Sequence, residues 1–310
     1  MKIAVNLLPE HAPFAGPSRD IDKLAKYCQQ LGVDQLASWP DGVPGYKEKG
    51  YFTLEDLNRY KKVFEDRGMN IVVMSILGEY GMGNMFKKGL TRPPEDLCQM
   101  IEATGEAGIE VINLFPFSRS GGLMGEWAKD EKKRVEEWKR IVGYQQELVE
   151  HAEKAHVKLA YHQSWMPDGY FWNYESQKAF LDAVPSKYVG VNFCVGSNQL
   201  SNDDPPMCIR RFGEKIFLVH ARDVKKSSWK GKVKATGEKW ENWEKERYVS
   251  AMLGEGECDW PRVMDALKDI GYRGVILIEH IPRVVDEKNH EMGIAYAIGY
   301  LKGLLANLNF

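Results

Sequence analysis

The chain has 310 residues, 44% hydrophobic and 28% charged, with a formal net charge of −2. That composition belongs to a folded globular protein with a substantial core, and its near-neutral charge argues against a nucleic-acid partner, which calls for a basic face. No apolar run approaches the ~20 residues of a membrane helix, and MKIAVNLLPEHAPF lacks the basic start, long apolar stretch and small-residue cleavage site of a signal peptide. The five cysteines form no CxxC pair, which fits a reducing cytosol and speaks against a disulfide scaffold.

Short β-rich apolar runs recur along the chain: Ile3–Leu8, Gln35–Trp39, Asn70–Ile76, Val111–Phe117, Lys158–Gln163, Val189–Val195, Ile216–Val224 and Val275–His280. Several are nearly continuous in apolar residues, as strands buried on both faces are. Between them lie segments of helical period. Asp20–Leu31 puts Ile21, Leu24, Ala25 and Cys28 on one face, and Thr53 opens a capping-box-like TLED. Further helices are expected from Pro93 to Ala107, and over Asp130–Ala155, Ser176–Val184, Pro206–Phe212, Trp260–Ile270 and Glu291–Leu305. Alternation of eight strands with helices predicts a single-domain (β/α)8 TIM barrel over residues 1–310. A doubly wound sheet is the alternative, but no glycine-rich phosphate loop follows a strand. The polar stretch of about residues 225–248, KKSSWKGKVKATGEKWENWEKERY, follows the seventh strand on the catalytic face. It reads either as a solvated loop or as an active-site lid.

A βα barrel builds its site at the C-terminal strand ends. The first four strands bring Asn6, Trp39, Ser75 and Asn113 with Pro116. The fifth brings His162, the sixth Cys194, the seventh His220, and the eighth Glu279 and His280. Each residue taken singly has a plain structural reading, as a hydrogen-bonded core histidine or a small buried thiol. Glu279 is harder to place that way, because an unpaired buried carboxylate is costly. Four donors on four consecutive strands point to a divalent ion such as Mn²⁺, Fe²⁺, Co²⁺ or Zn²⁺. Arg222 lies two residues after His220, so strand alternation turns both to one side. It reads either as a rim salt bridge or as a clamp for a substrate carboxylate. Cys28, Cys98, Cys208 and Cys258 read as packing residues, and His11, His151 and His156 fit the cluster less well.

These stretches carry a resemblance. GVNFCVGS, PPMCIRRFGEKIFLVHARDV, GEGECDWPRVMDALKDIGYRGVILIEH and AIGYLKGLL resemble segments of the mannonate dehydratase family, metal-dependent lyases among the xylose-isomerase-like TIM barrels. Weaker similarity runs from Leu31 to Pro116 through SWPDGVPG and NLFPF. The resemblance implies that His162, Cys194, His220 and Glu279 hold one divalent metal, Mn²⁺ first among the choices, and that Arg222 and His280 belong to the active site. It implies dehydration of an aldonic acid, D-mannonate or a related sugar acid, to a 2-keto-3-deoxy acid. A sugar isomerase or epimerase, or a lyase acting on an oxidised sugar or glycoside, is the alternative. The expected partner is a small sugar acid or sugar, in a cytoplasmic homo-oligomer. Three departures stand out. The family carries Asp where Glu279 stands, Gln163–Pro167 replaces an Asp- and Pro-rich run after His162, and Asp286–His290 lacks a family tyrosine.

Overall fold

The computed structural model describes residues 1–7, 20–76, 92–114, 130–163, 171–226, 248–281 and 290–308. In chain order the elements are β1 (Lys2–Asn6), α1 (Ile21–Gln30), β2 (Gln35–Ser38), α2 (Leu54–Glu65), β3 (Asn70–Ser75), α3 (Glu95–Glu106) and β4 (Val111–Leu114). There follow α4 (Glu131–Lys154), β5 (Lys158–His162), α5 (Tyr174–Ala183), β6 (Val189–Cys194), α6 (Val195–Leu200), α7 (Pro205–Phe212) and β7 (Ile216–Ala221). The chain then runs through β8 (Asp223–Lys226), β9 (Tyr248–Ala251), α8 (Trp260–Asp269), β10 (Val275–Ile278) and α9 (Glu291–Asn307). Strands β1 to β7 and β10 close into one parallel barrel, with β10 between β7 and β1. This is the (β/α)8 architecture that the alternation predicts.

The helices start where short polar side chains satisfy orphan backbone donors. Asp20, Asp130 and Asp259 each accept from the backbone N–H three residues on. Thr53 and Asp56 complete the capping box of α2, and Asn173 and Ser176 that of α5.

The barrel interior explains where chemistry can sit. Ala4, Ala37, Val73, Val111, Ala160, Leu218 and Leu277 belong to one buried apolar cluster inside it. Successive inward positions of a strand are two residues apart. Two residues beyond that layer come Asn6, Trp39, Ser75, Asn113, His162, His220 and Glu279. The lower layer is thus a plug of small and branched side chains, and the layer above it is polar. The larger core lies outside, between the strands and the helices, around Trp260, Tyr144, Phe180 and Phe64.

The structure corrects the seventh strand. The expected run Ile216–Val224 breaks at Arg222, and β8 leaves the barrel to pair antiparallel with β9. The ladder joins Lys226 to Tyr248 and Asp223 to Ala251. The two ends of the expected polar loop are therefore strand, and residues 227–247 lie outside the described residues. Asp223 fastens this hairpin. Its buried carboxylate accepts from the backbone N–H groups of Val224, Gly254, Gly256 and Cys258 and from the Trp260 indole. Among the described residues no helix is long and apolar enough to cross a membrane.

Candidate metal centre

His162, Cys194, His220 and Glu279 come together at the C-terminal mouth of the barrel. One ligand atom from each lies within 4.8 Å of all the others. His162 and Cys194 close β5 and β6, His220 is the last residue but one of β7, and Glu279 follows β10. Cys194 and His220 are register partners across the β6–β7 pair, which fixes their separation through the backbone. A one-residue irregularity of that pair between Val191 and Asn192 brings them level.

Within the cluster Glu279 Oε2 lies 2.9 Å from His220 Nδ1, 3.9 Å from His162 Nε2 and 4.0 Å from Cys194 Sγ. His162 is oriented by its own Nδ1, 2.7 Å from the Gln163 carbonyl, so its Nε2 faces the cluster. Ser197, in the first turn of α6, donates its hydroxyl to Cys194 Sγ at 3.1 Å. The two histidines and Cys194 are buried, and the Glu279 side chain is 12% exposed. Burial works against every charge in this group. It raises the Cys194 thiol, yet hydrogen bonds from His162 and His220 overcome it and bring Cys194 down to about 5. Burial likewise opposes a charged Glu279, and the positive character of His220 and His280 outweighs it, holding the carboxyl well below its usual range. His220 is pushed the other way. Burial disfavours its charged form, but the Glu279 carboxylate and Cys194 draw protons onto the ring. A thiolate, a carboxylate and two imidazoles converging on one point form a donor set suited to a borderline divalent cation.

Arg222 and His280 flank the cluster. Arg222 follows the end of β7, and its N–H donates to the His220 carbonyl at 3.2 Å. A turn therefore places its side chain, and strand alternation does not reach that far. The guanidinium is buried at 3% exposure and donates to the Tyr248 hydroxyl at 3.0 Å, with its carbon 5.2 Å from that ring. Cys194 and Glu279 are among the charges acting on it. His280 holds a left-handed backbone, φ +52°, uncommon for a side chain with a Cβ. Its Nε2 lies 3.6 Å from Glu279 Oε1, and its ring is 25% exposed. It borders a small cleft with Val5, Asn6, Ile278, Ile281 and Ile294.

Two further residues adjoin the cluster without a clear signal in the sequence. Tyr248 is the last residue of the expected polar loop, and only its pairing on β9 shows that it faces Arg222. Asn192 stands one inward step below Cys194 and lies 2.8 Å from His220 Nε2. Counting back by two from Cys194 was the available signal for it. Of the other positions, Ser75 and Asn113 are buried and hydrogen-bonded to each other at 3.2 Å. His151 pairs with Glu102 between the outer helices α4 and α3. His11, Pro116, Ser164–Pro167 and Pro282–Asn289 lie outside the described residues.

Comparison with known proteins agrees with this architecture. A mannonate dehydratase of Enterococcus faecalis is 26% identical over 248 residues, covering 70% of this chain. The chain spans 60% of that protein's own length. The crystal structure of mannonate dehydratase from Streptococcus suis superposes with a TM-score of 0.68 at 18% identity, covering 98% of this chain and 93% of that one. A D-psicose 3-epimerase from Clostridium cellulolyticum superposes equally broadly, with a TM-score of 0.67 at 16% identity, covering 98% and 99%. At such identities the superpositions speak for the fold. The family model described as Xylose isomerase-like TIM barrel matches residues 25–304, and the chain belongs to that family.

Proposed function

We propose that the protein is a metal-dependent carbon–oxygen lyase that removes water from an aldonic acid, D-mannonate or a close relative, to give a 2-keto-3-deoxy acid. The observation that carries this reading is the convergence of four ligand atoms within 4.8 Å, beside a buried arginine. The similarity to mannonate dehydratases supports a sugar acid as the substrate class.

His162, Cys194, His220 and Glu279 would hold the ion, with Mn²⁺ the first choice and Fe²⁺, Co²⁺ or Zn²⁺ the others. When bound, such an ion supplies Lewis acidity to substrate oxygens, which eases both loss of the proton beside a carboxylate and departure of hydroxide. The chain's own residues supply the rest. The Arg222 guanidinium, held by Tyr248 and always charged, is placed to hold the substrate carboxylate by a charge-assisted contact. The partly open His280 ring is placed to move a proton at Nε2 between substrate and cleft. Glu279 lies within 4 Å of all three imidazoles.

A second reading has an observation of its own. Arg222 is buried and already engaged by Tyr248, as a purely structural arginine would be. The protein would then be a sugar isomerase or epimerase, or a lyase on an oxidised sugar or glycoside, with the same ion. Metal-loaded protein should release 2-keto-3-deoxy acid from D-mannonate or another aldonic acid. Turnover of ketoses or their epimers alone, with no keto-deoxy acid from any acid tested, would replace the dehydratase reading with the second one.

A further inference from the structure

Three buried polar side chains stand behind His220 that the proposed chemistry leaves unused. Ser75 ends β3, Asn113 lies in β4 and Asn192 in β6, all essentially without solvent contact. Asn192 Nδ2 lies 2.8 Å from Asn113 Oδ1 and 2.8 Å from His220 Nε2, and Asn113 Nδ2 lies 3.2 Å from Ser75 Oγ. A chain of hydrogen bonds thus crosses the barrel interior from β3 and ends on one nitrogen of the His220 ring. The other nitrogen, Nδ1, faces Glu279 at 2.9 Å.

The amide decides what that ring can do. A ring nitrogen facing an N–H must keep its lone pair. With Asn192 Nδ2 toward Nε2, the ring proton sits on Nδ1, and Nδ1 has nothing to offer a cation. With the amide turned over, Oδ1 faces Nε2, Nε2 carries the proton and Nδ1 is left bare. The oxygen and nitrogen of a side-chain amide fill nearly the same space, so the turn requires no repacking. It does require Asn113 to turn as well, so that its Nδ2 donates to Asn192 and its Oδ1 accepts from Ser75. Both settings keep the same three hydrogen bonds. Both leave one amide atom of Asn192 unused, Oδ1 in the setting described, where it has no hydrogen-bond partner among the described residues. A buried amide with half its capacity idle is a poor stability device, and its position on a ligand histidine suits it to another task.

We propose that Asn192, set by Asn113 and Ser75, is a positioning residue that selects the metal-binding tautomer of His220. The inference rests on the reading of His162, Cys194, His220 and Glu279 as a metal site. Ligand histidines are commonly held in this way by a partner on the far nitrogen, whose loss weakens metal binding about 10- to 100-fold.

The test is titration of the full chain with Co²⁺, read by thiolate-to-cobalt charge-transfer absorption, with melting curves of the metal-free variants to report folding. Asn113→Asp is isosteric and touches no ligand. Its carboxylate would hold Asn192 Nδ2 in place and so keep Nδ1 protonated. Cobalt affinity should fall at least tenfold, although an added negative charge would by itself attract a cation. Asn192→Leu should weaken binding about 10- to 100-fold. Asn192→Asp gives Nε2–H a carboxylate acceptor and should bind at least as tightly as wild type. Absence of the charge-transfer band in wild type would remove the metal-site reading and this inference with it. A wild-type band with Asn113→Asp and Asn192→Leu both within threefold of it overturns this inference alone. If Asn113→Asp does not fold, the order of the two Asn192 variants decides, and Asn192→Leu binding more tightly than Asn192→Asp overturns the inference.

Discussion

Glu279 has three imidazoles within 4 Å of its carboxylate, and Cys194 is a fully buried thiol whose pKa is brought down to about 5. Such a group of charges, expensive to bury, is stabilised by a cation that all of them share. His220→Ala should therefore lose both the ion and turnover. Arg222→Ala should keep the ion, because a guanidinium cannot ligate a cation, and lose acid-sugar turnover on the order of 10²-fold. Metal content and kcat/KM on one aldonic acid and one ketose read both variants; equal losses on acid and neutral sugar would return Arg222 to a structural role. The pH dependence follows from the same residues. Protons compete with the ion for every ligand, so protonation favours the metal-free protein. The decline in metal affinity should begin as the pH falls through about 9, where the His220 ring of the metal-free site takes a proton. It should steepen near pH 5, where the Cys194 thiolate also takes a proton. Occupancy unchanged at about pH 4 would count against histidine and thiolate ligation. These four residues were legible because each ends an apolar run. Asn192 and Tyr248 were hidden, one inside a strand and the other at the edge of a polar stretch with no periodicity.

At the scale of elements, local chemistry fixes the helix starts more firmly than the strand ends. TLED reads as a cap, and Thr53 and Asp56 form the full capping box of α2. The Asp56 carboxylate also meets Lys49 at 3.0 Å and Arg59 at 2.6 Å. Those contacts and the Thr53 N–H hold its carboxyl below the usual range. A carboxyl depressed in the folded state adds stability above its unfolded pKa, and loses it as pH falls from there toward the folded value. Asp56→Asn should cost about 1 kcal/mol at pH 7, a modest figure because both cationic partners are largely in solvent. The difference between wild type and variant should close as the pH drops below ~4, the reference range for Asp. Urea midpoints of both proteins at pH 7 and pH 3 measure it, and an equal gap at both would assign the effect to shape alone. The seventh strand was misread because Arg222, Asp223 and Val224 continue its β-rich pattern. The break comes from long-range contacts, the four distant donors around Asp223 and the Tyr248 hydroxyl, which no local pattern contains. The six-residue α6 was missed for a similar reason. Gly196, Ser197 and Asn198 are poor helix formers, and burial against the hairpin holds them in that shape.

Across the whole molecule, the candidate ligands sit on β5, β6, β7 and β10, four neighbouring strands of a closed eight-stranded ring. An ion there would fasten half of the barrel at its mouth, and the separate strands of the unfolded chain offer no such site. Binding to the folded state alone stabilises by mass action, about 2.7 kcal/mol when free ion is 100 times its Kd. For a chain of this size that corresponds to a rise in Tm of about 4 °C. Adding a chelator to metal-loaded wild type should lower Tm by that amount, and restoring the ion should return it. His220→Ala should show no response to either treatment, since one strand no longer contributes a ligand. Arg222→Ala should respond as wild type does, since its guanidinium lies beside the cluster and not within the donor set. The contrast between the two variants separates an ion held at the barrel mouth from one bound elsewhere on the protein. A chelator shift of equal size in His220→Ala would place the ion outside the cluster, and the absence of any shift in metal-loaded wild type would show that the four side chains do not tie the strands together.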